Sequence, residues 1–306
     1  MEEVFSVATV YNEFEIHLYP SKPLDEKCDS ENHFAKMKIS KVMGKYNFGA
    51  MYKIKTIEEL PRHFAGPTLE NGVKIFNGVE GNHTFGTLGP FMTRNDTDTL
   101  YGVTCAHVVQ HKDVLIPHSS NGFYKFAESS PELKIQCGSH PEFSLIDFAA
   151  IKVVDHLRNS CEDRLKNEDG LPRQSVMAEI SPSELVGEVV YKYGATTRFT
   201  KGTVVSTDLS IANNSETYLI MIEPPAGSED DARFSRPGDS GSAVCLSCVP
   251  ESGQFANGEP HLKVVSIISA GDMTLTGCSK KWTVSYSLSK AIEMLREKSN
   301  VHLQIP

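Results

Sequence analysis

Arg236-Pro237-Gly238-Asp239-Ser240-Gly241-Ser242-Ala243-Val244 sets a serine among small, flexible residues immediately before an apolar run that reads as a strand. A serine so placed can stand on a tight turn with its hydroxyl exposed. Gly238 accepts backbone angles closed to other residues and lets a substrate carbonyl approach the main chain. The amides of Gly238 and Ser240 can then converge on one point, as a tetrahedral oxyanion requires. Taken alone, the segment reads equally well as an ordinary turn between strands, so its meaning depends on what the rest of the chain supplies.

Working outward, Tyr101-Gly102-Val103-Thr104-Cys105-Ala106-His107-Val108-Val109 carries a strand into a short helical turn that begins around His107. A serine hydroxyl is a weak nucleophile at neutral pH, and a neutral imidazole is the side chain best matched to take its proton. The chain has 11 histidines, so it is the serine segment that makes this one a candidate base. Phe143-Ser144-Leu145-Ile146-Asp147-Phe148-Ala149-Ala150-Ile151 then sets a single carboxylate inside an apolar strand. An unpaired buried carboxylate is costly, so Asp147 needs a partner, and an imidazole N–H is one. Holding that ring in one tautomer and stabilising the imidazolium is the task of the third member of a Ser-His-Asp triad. The competing reading is an aspartate at a strand end facing water.

In the order His107, Asp147, Ser240, the segments resemble the trypsin/chymotrypsin-like serine peptidases, whose triad runs in that order; subtilisins and α/β-hydrolases order theirs differently. The likeness spans roughly residues 85 to 295. It implies Ser240 as nucleophile, His107 as general base and acid, Asp147 as its orienter, and the Gly238 and Ser240 amides as oxyanion hole. Val264-Val265-Ser266-Ile267-Ile268-Ser269-Ala270-Gly271 resembles the strand that pairs with the substrate backbone and walls the specificity pocket, which makes Ser269, Ala270 and Gly271 substrate-binding candidates. Phe234, six positions before Ser240, stands where trypsin-type enzymes carry the carboxylate that reads lysine or arginine. An apolar or small pocket follows from it. Gly86-Thr87-Leu88-Gly89, with Lys192-Tyr193-Gly194-Ala195-Thr196-Thr197-Arg198-Phe199-Thr200-Lys201-Gly202-Thr203-Val204, is similar to intracellular members such as the narrow-leaf-type plant peptidases.

The departures are informative. Val108 follows His107 where secreted trypsins have a cysteine, and Gly-Asp-Ser-Gly continues as Ser242-Ala243 rather than Gly-Pro. Lys74-Ile75-Phe76-Asn77-Gly78 faintly echoes an activation site, where a freed amino terminus would pair with the aspartate before the nucleophile, here Asp239. Without cleavage Asp239 must find another partner. Glu229, Asp230 and Asp231 read as a solvated acidic loop, or as an attraction for basic substrate residues if they fold over the cleft.

Composition bounds the alternatives. A chain of 306 residues with 40% hydrophobic residues is long enough to bury a substantial core without disulfides or metal. The formal charge of -9 argues against a protein that coats phosphate backbones, so no nucleic-acid partner is expected. No run approaches the roughly 20 apolar residues of a membrane span. An acidic start, Met1-Glu2-Glu3, and 7 scattered cysteines point to an intracellular, cytoplasmic protein with reduced thiols rather than a secreted disulfide scaffold. The sequons at Asn82, Asn95 and Asn213 are read as chance triplets.

The expected architecture is all-β: a chymotrypsin-like double β-barrel with a C-terminal helix, preceded by an N-terminal extension over residues 1–70 that offers a surface for a regulatory partner. The first barrel is expected over 71–160, a linker or long loop over 161–185, and the second barrel with the helix over 186–306. Leu288, Ala291, Ile292 and Leu295 fall at helical spacing between charged residues. The substrate is a protein or peptide, and neither a cofactor nor a metal is required. Three rivals stand beside this reading. Cys245-x-x-Cys248 with His261 and Cys278 offers four zinc-ligand types at weak spacing. Cys105 offers a thiol near His107, although its place at a strand end suits a small core residue. An inactive peptidase fold serving as a scaffold is the third, since a fold does not imply an activity.

Overall fold

A computed structural model describes residues 4–10, 13–18 and 52–56, and then 69–78, 84–94, 97–117, 123–137, 146–208, 219–225, 232–246, 261–273 and 281–306. The chain divides into two compact units, Met1–Pro67 and Thr68–Pro306. In the first, β1 (Val4–Val10) pairs antiparallel with β2 (Glu13–Leu18), and β2 pairs parallel with β3 (Tyr52–Thr56). The alternating run Glu15-Ile16-His17-Leu18 lies on the central strand of this sheet.

The second unit begins with β4 (Lys74–Asn77), β5 (Phe85–Thr87), β6 (Phe91–Arg94), β7 (Leu100–Cys105), β8 (Asp113–Pro117), β9 (Phe123–Cys137) and β10 (Ile146–Val153). Their ladder order is β6-β7-β10-β9-β8-β4-β5. The run 85–94 closes it: β5 pairs with β4, then the Gly89 N–H donates to the Val103 carbonyl at 2.7 Å and β6 continues along β7. Counting β5 and β6 as one continuous edge, this is a six-stranded barrel. Every residue of β7 is buried, as its unbroken apolar run demands, whereas β4 alternates buried and half-buried positions.

After a 3-10 turn at Asp155–Ser160 come β11 (Leu165–Lys166), β12 (Pro172–Arg173), β13 (Ser175–Met177), the single turn α1 (Pro182–Leu185), β14 (Val189–Gly194), β15 (Arg198–Ser206), β16 (Leu219–Glu223), β17 (Ala243–Leu246), β18 (Leu262–Met273), β19 (Trp282–Ser287), α2 (Leu288–Ser299) and β20 (Leu303–Gln304). β11 and β12 form a small hairpin, and β13 adds in parallel to the edge of β18. The order β18-β17-β14-β15-β16-β19 closes through pairing of β19 back onto β18, a second six-stranded barrel. β20 returns to pair with β6 of the first.

The two barrels of the second unit constitute the chymotrypsin-like all-β fold expected from the sequence, with the closing helix also as expected. Helix α2 buries Leu288, Ala291, Ile292 and Leu295 on one face. It starts on the Ser287 hydroxyl, which accepts from the Lys290 N–H at 3.4 Å, and stops at Asn300 in the left-handed region. One apolar core fills the first barrel and extends to Tyr191, Tyr286 and the helix; a second, including Val190, Val204, Ile222, Phe234, Val244 and Ile268, fills the other barrel. β9 runs on through the polar stretch after Phe126, and a register shift opposite Ala149 and Ile151 bends it around the barrel corner.

Candidate active site

β7 and β10 are neighbours in the first barrel, with Cys105 opposite Phe148. That register sets Asp147, one residue before Phe148, beside the 3-10 turn Ala106–Val108 that follows β7. Asp147 is buried and fully engaged. Its Oδ1 accepts from the His107 backbone N–H at 3.1 Å and from Gln136 Nε2 at 3.2 Å, and its Oδ2 meets His107 Nδ1 in a short hydrogen bond. With Nδ1 committed to the carboxylate, the ring presents Nε2 on its other side, and the His107 side chain is 41% exposed. The aspartate and histidine singled out from sequence thus stand in the relation that orients an imidazole for proton transfer.

The serine segment lies between β16 and β17 of the other barrel and consists of two successive turns. The Asp239 N–H donates to the Arg236 carbonyl at 3.0 Å, with Pro237 and Gly238 at the central positions; the Ser242 N–H donates to the Asp239 carbonyl at 3.0 Å, with Ser240 and Gly241 central. Gly238 and Gly241 have φ of 96° and 98°, the positive value that the third position of a type II turn requires. At Gly238 a side chain is excluded twice over, because a Cβ there would stand 2.3 Å from the Phe85 ring. The loop is tied to the first barrel: the Thr87 N–H donates to the Ser240 carbonyl at 2.8 Å, and Thr87 Oγ1 donates to the Gly238 carbonyl at 2.8 Å.

Among the described residues, the Ser240 hydroxyl donates to the Ser269 carbonyl at 3.1 Å, and no hydrogen bond joins it to His107. Rotation about the Ser240 Cα–Cβ bond redirects it, and such contacts commonly tighten only when substrate binds. The amides of Gly238 and Ser240 carry no intramolecular hydrogen bond among the described residues, as donors reserved for an oxyanion would.

Asp239 is fully buried beside Ser240. Burial pushes its carboxyl up, but Lys192, the Thr197 hydroxyl and the Arg236 and Thr196 amides outweigh that and hold it below the usual carboxylate range. Its cation is Lys192 Nζ, 3.3 Å away, with both side chains 0% exposed. Burial lowers Lys192 to about 8 against the upward pull of Asp239.

The substrate-binding candidates separate. Phe234 lies within the apolar core of the second barrel, 1% exposed, and its carbonyl accepts from Thr200 Oγ1 at 2.7 Å. Ser269, Ala270 and Gly271 run along β18 beside the segment that follows Phe234. The two walls approach closely there: a Cβ on Gly271 would stand 2.6 Å from Ser235 Oγ and 3.1 Å from the Ser235 carbonyl oxygen. Ser235 Oγ in turn meets Thr283 Oγ1 at 2.7 Å.

Cys105 Sγ, His107 and Asp147 bring one ligand-type atom each within 4.8 Å of one another. The thiol is buried and donates to the Ile268 carbonyl at 3.1 Å. Burial first, and the Asp147 charge second, push it well above the usual thiol range, which keeps it protonated. Cys245 is likewise buried in β17, whereas Cys248 and Cys278 of the zinc rival lie outside the described residues. So do Glu229, Asp230 and Asp231 and all three sequons. Sequence reasoning gave no individual role to Gln136, Tyr286, Thr87 or Lys192. Of these Lys192 had a signal, a lone charge inside the strand run Val189-Val190-Tyr191-Lys192-Tyr193, the argument that had singled out Asp147.

No family model and no curated protein sequence matches the chain. Solved structures similar to it are serine proteases. A glutamic acid-specific serine protease with a histidine triad in substrate binding aligns over 78% of this chain and 100% of its own, at 16% identity and a TM-score of 0.49. Protease A of Thermobifida fusca aligns over 79% and 100% at 16% identity with a TM-score of 0.46, and the chymotrypsin of Cellulomonas bogoriensis over 79% and 99% at 16% with a TM-score of 0.45.

Proposed function

We propose that the chain is a serine endopeptidase that hydrolyses peptide bonds through an acyl-enzyme. Ser240 is the nucleophile and His107 takes its proton, then returns it to the leaving amine. Asp147 orients the ring and stabilises its charged form, and the Gly238 and Ser240 amides receive the oxyanion. The observation that carries this reading is the clamp of Asp147 on both the ring and the backbone of His107, in the barrel facing a two-turn serine loop with unused amides.

The close approach of Gly271 to Ser235 favours a small side chain on the acyl side of the scissile bond. Reduced thiols at Cys105 and Cys161 favour a reducing compartment, in keeping with an intracellular protein. The N-terminal unit is assigned to regulation or partner binding. Labelling rates of the whole chain and of Thr68–Pro306 test that assignment, which fails if the two are equal with and without cell extract.

One observation favours a second reading, a silent peptidase fold acting as a scaffold: the Ser240 hydroxyl rests on the Ser269 carbonyl. A fluorophosphonate probe read by intact mass decides between them. Labelling of the wild type at Ser240, lost in Ser240→Ala and His107→Ala, supports the peptidase; a well-folded wild type that resists labelling supports the scaffold.

A further inference from the structure

The two turns that carry the candidate oxyanion donors are braced from outside as well as by their own hydrogen bonds. Here the support is the hairpin of β14 and β15. Its end wraps the Asp239 carboxylate: Oδ1 accepts the Thr196 and Thr197 N–H groups at 2.9 and 3.1 Å, and Oδ2 accepts Thr197 Oγ1 at 2.7 Å and the Arg236 N–H at 3.0 Å. Lys192 Nζ completes the shell, and its remaining contacts are Thr197 Oγ1, the Arg198 carbonyl at 3.5 Å and the face of Phe234. Gly194 leaves room for the pair, since a Cβ there would stand 2.3 Å from Asp239 Oδ1 and 2.9 Å from Lys192 Nζ.

The same hairpin sets the peptide that matters for catalysis. Thr196 Oγ1 donates to the Pro237 carbonyl at 2.9 Å. A trans peptide holds its N–H opposite its C=O, so anchoring the Pro237 oxygen on the hairpin side turns the Gly238 N–H away from the hairpin. The Ala195 N–H donates to Thr87 Oγ1 at 3.0 Å, which passes the support on to the Gly238 carbonyl.

A buried carboxylate with a saturated shell has no place for a second cation. The bond between Lys74 and Ile75, which the sequence offered as a faint activation site, lies in β4, with Ile75 0% exposed and the strand laddered to β5 and β8. Resting on the serine-peptidase reading above, we propose that Lys192 is the positioning residue of this site. Its ammonium, in place of an amino terminus freed by cleavage, holds Asp239 and so fixes the Gly238–Ser240 turn in its working form without proteolytic processing.

The test compares wild type, Lys192→Met, Lys192→Arg and Lys192→Met/Asp239→Asn of the full chain. Fluorophosphonate labelling kinetics are measured together with hydrogen exchange of the amides from Arg236 to Ser242. Lys192→Met should slow the maximal labelling rate at least 100-fold with probe affinity nearly unchanged, and should speed exchange in that segment; Lys192→Arg should recover part of both. The double variant removes both charges and so avoids an orphaned carboxylate; it should fold and label as slowly as Lys192→Met. Wild-type labelling and exchange in a folded Lys192→Met, or in the double variant if the single one does not fold, would overturn the proposal. If the wild type itself does not label, that counts against the peptidase reading, while the exchange data still decide whether Lys192 holds the turn.

Discussion

Tyr286 donates its hydroxyl to the backbone carbonyl of Asp147 across 3.1 Å, a bond from β19 of one barrel to β10 of the other. Burial, and then the neighbouring Cys105 and Asp147, push the phenol well above its usual range, so it remains a donor throughout the neutral region. Tyr286→Phe should therefore cost about 1 kcal/mol of stability in urea unfolding, the usual net value of such a bond. It should also slow labelling of Ser240. Unchanged stability together with an unchanged rate would mean that the bond does not hold the carboxylate strand.

The proposed chemistry makes its own demand on the three candidate residues. Ser240→Ala and His107→Ala should lower peptide hydrolysis by several powers of ten, and Asp147→Asn by roughly 10⁴-fold through the wrong imidazole tautomer. Circular dichroism should find the Ser240→Ala fold intact, since its hydroxyl is engaged only with the Ser269 carbonyl. Turnover near wild type in purified Ser240→Ala would end the mechanism.

The buried pair gives a pH dependence with a definite sign. Lys192 is charged below about 8 and neutral above it, and the groups facing it are Asp239, Thr197, Arg198 and Phe234. Labelling should fall as pH rises through about 8, and Lys192→Arg, which stays charged, should move that limb upward. At the acid end Asp239 titrates below its unfolded value. Its contribution to stability is thus complete above that value and is lost as pH falls through the lower folded one. Acid unfolding of Asp239→Asn should lack this component.

Under the proposed function, walls as close as Ser235 and Gly271 discriminate by size. A library of peptide substrates should be cut after alanine, glycine or serine in preference to phenylalanine, lysine or arginine. Gly271→Ala should raise KM sharply, because the added methyl would meet Ser235 Oγ at 2.6 Å. Efficient cleavage after large residues by the wild type would contradict this account of the pocket.

The sequence and the structure agree where physics is local. Apolar runs such as Leu100–Cys105 and Ile146–Val153 are legible because a strand buried on both faces needs an unbroken apolar stretch. Asp147 was legible because a carboxylate within such a run demands a partner. Strand ends were not: β9 continues past Phe126 because Ala127, Glu128 and Ser129, and then Lys134 to Cys137, find ladder partners in β10, and no residue within it announces that. Lys192 went unread for want of its partner, which lies 47 positions away and becomes a neighbour only when the second barrel closes.

His107 and Asp147 ride on one barrel and Ser240 on the loop that leads into a strand of the other, so the proposed mechanism needs its reacting atoms to meet at a seam. A displacement of about 1 Å across a site can cost 10²-fold in rate. Both barrels can therefore remain intact, with their cores dry and their ladders paired, while the chemistry has already stopped. For this molecule heat should silence turnover some degrees before it melts the β-sheet signal, which makes activity a finer gauge of barrel alignment than any spectroscopic measure of folding.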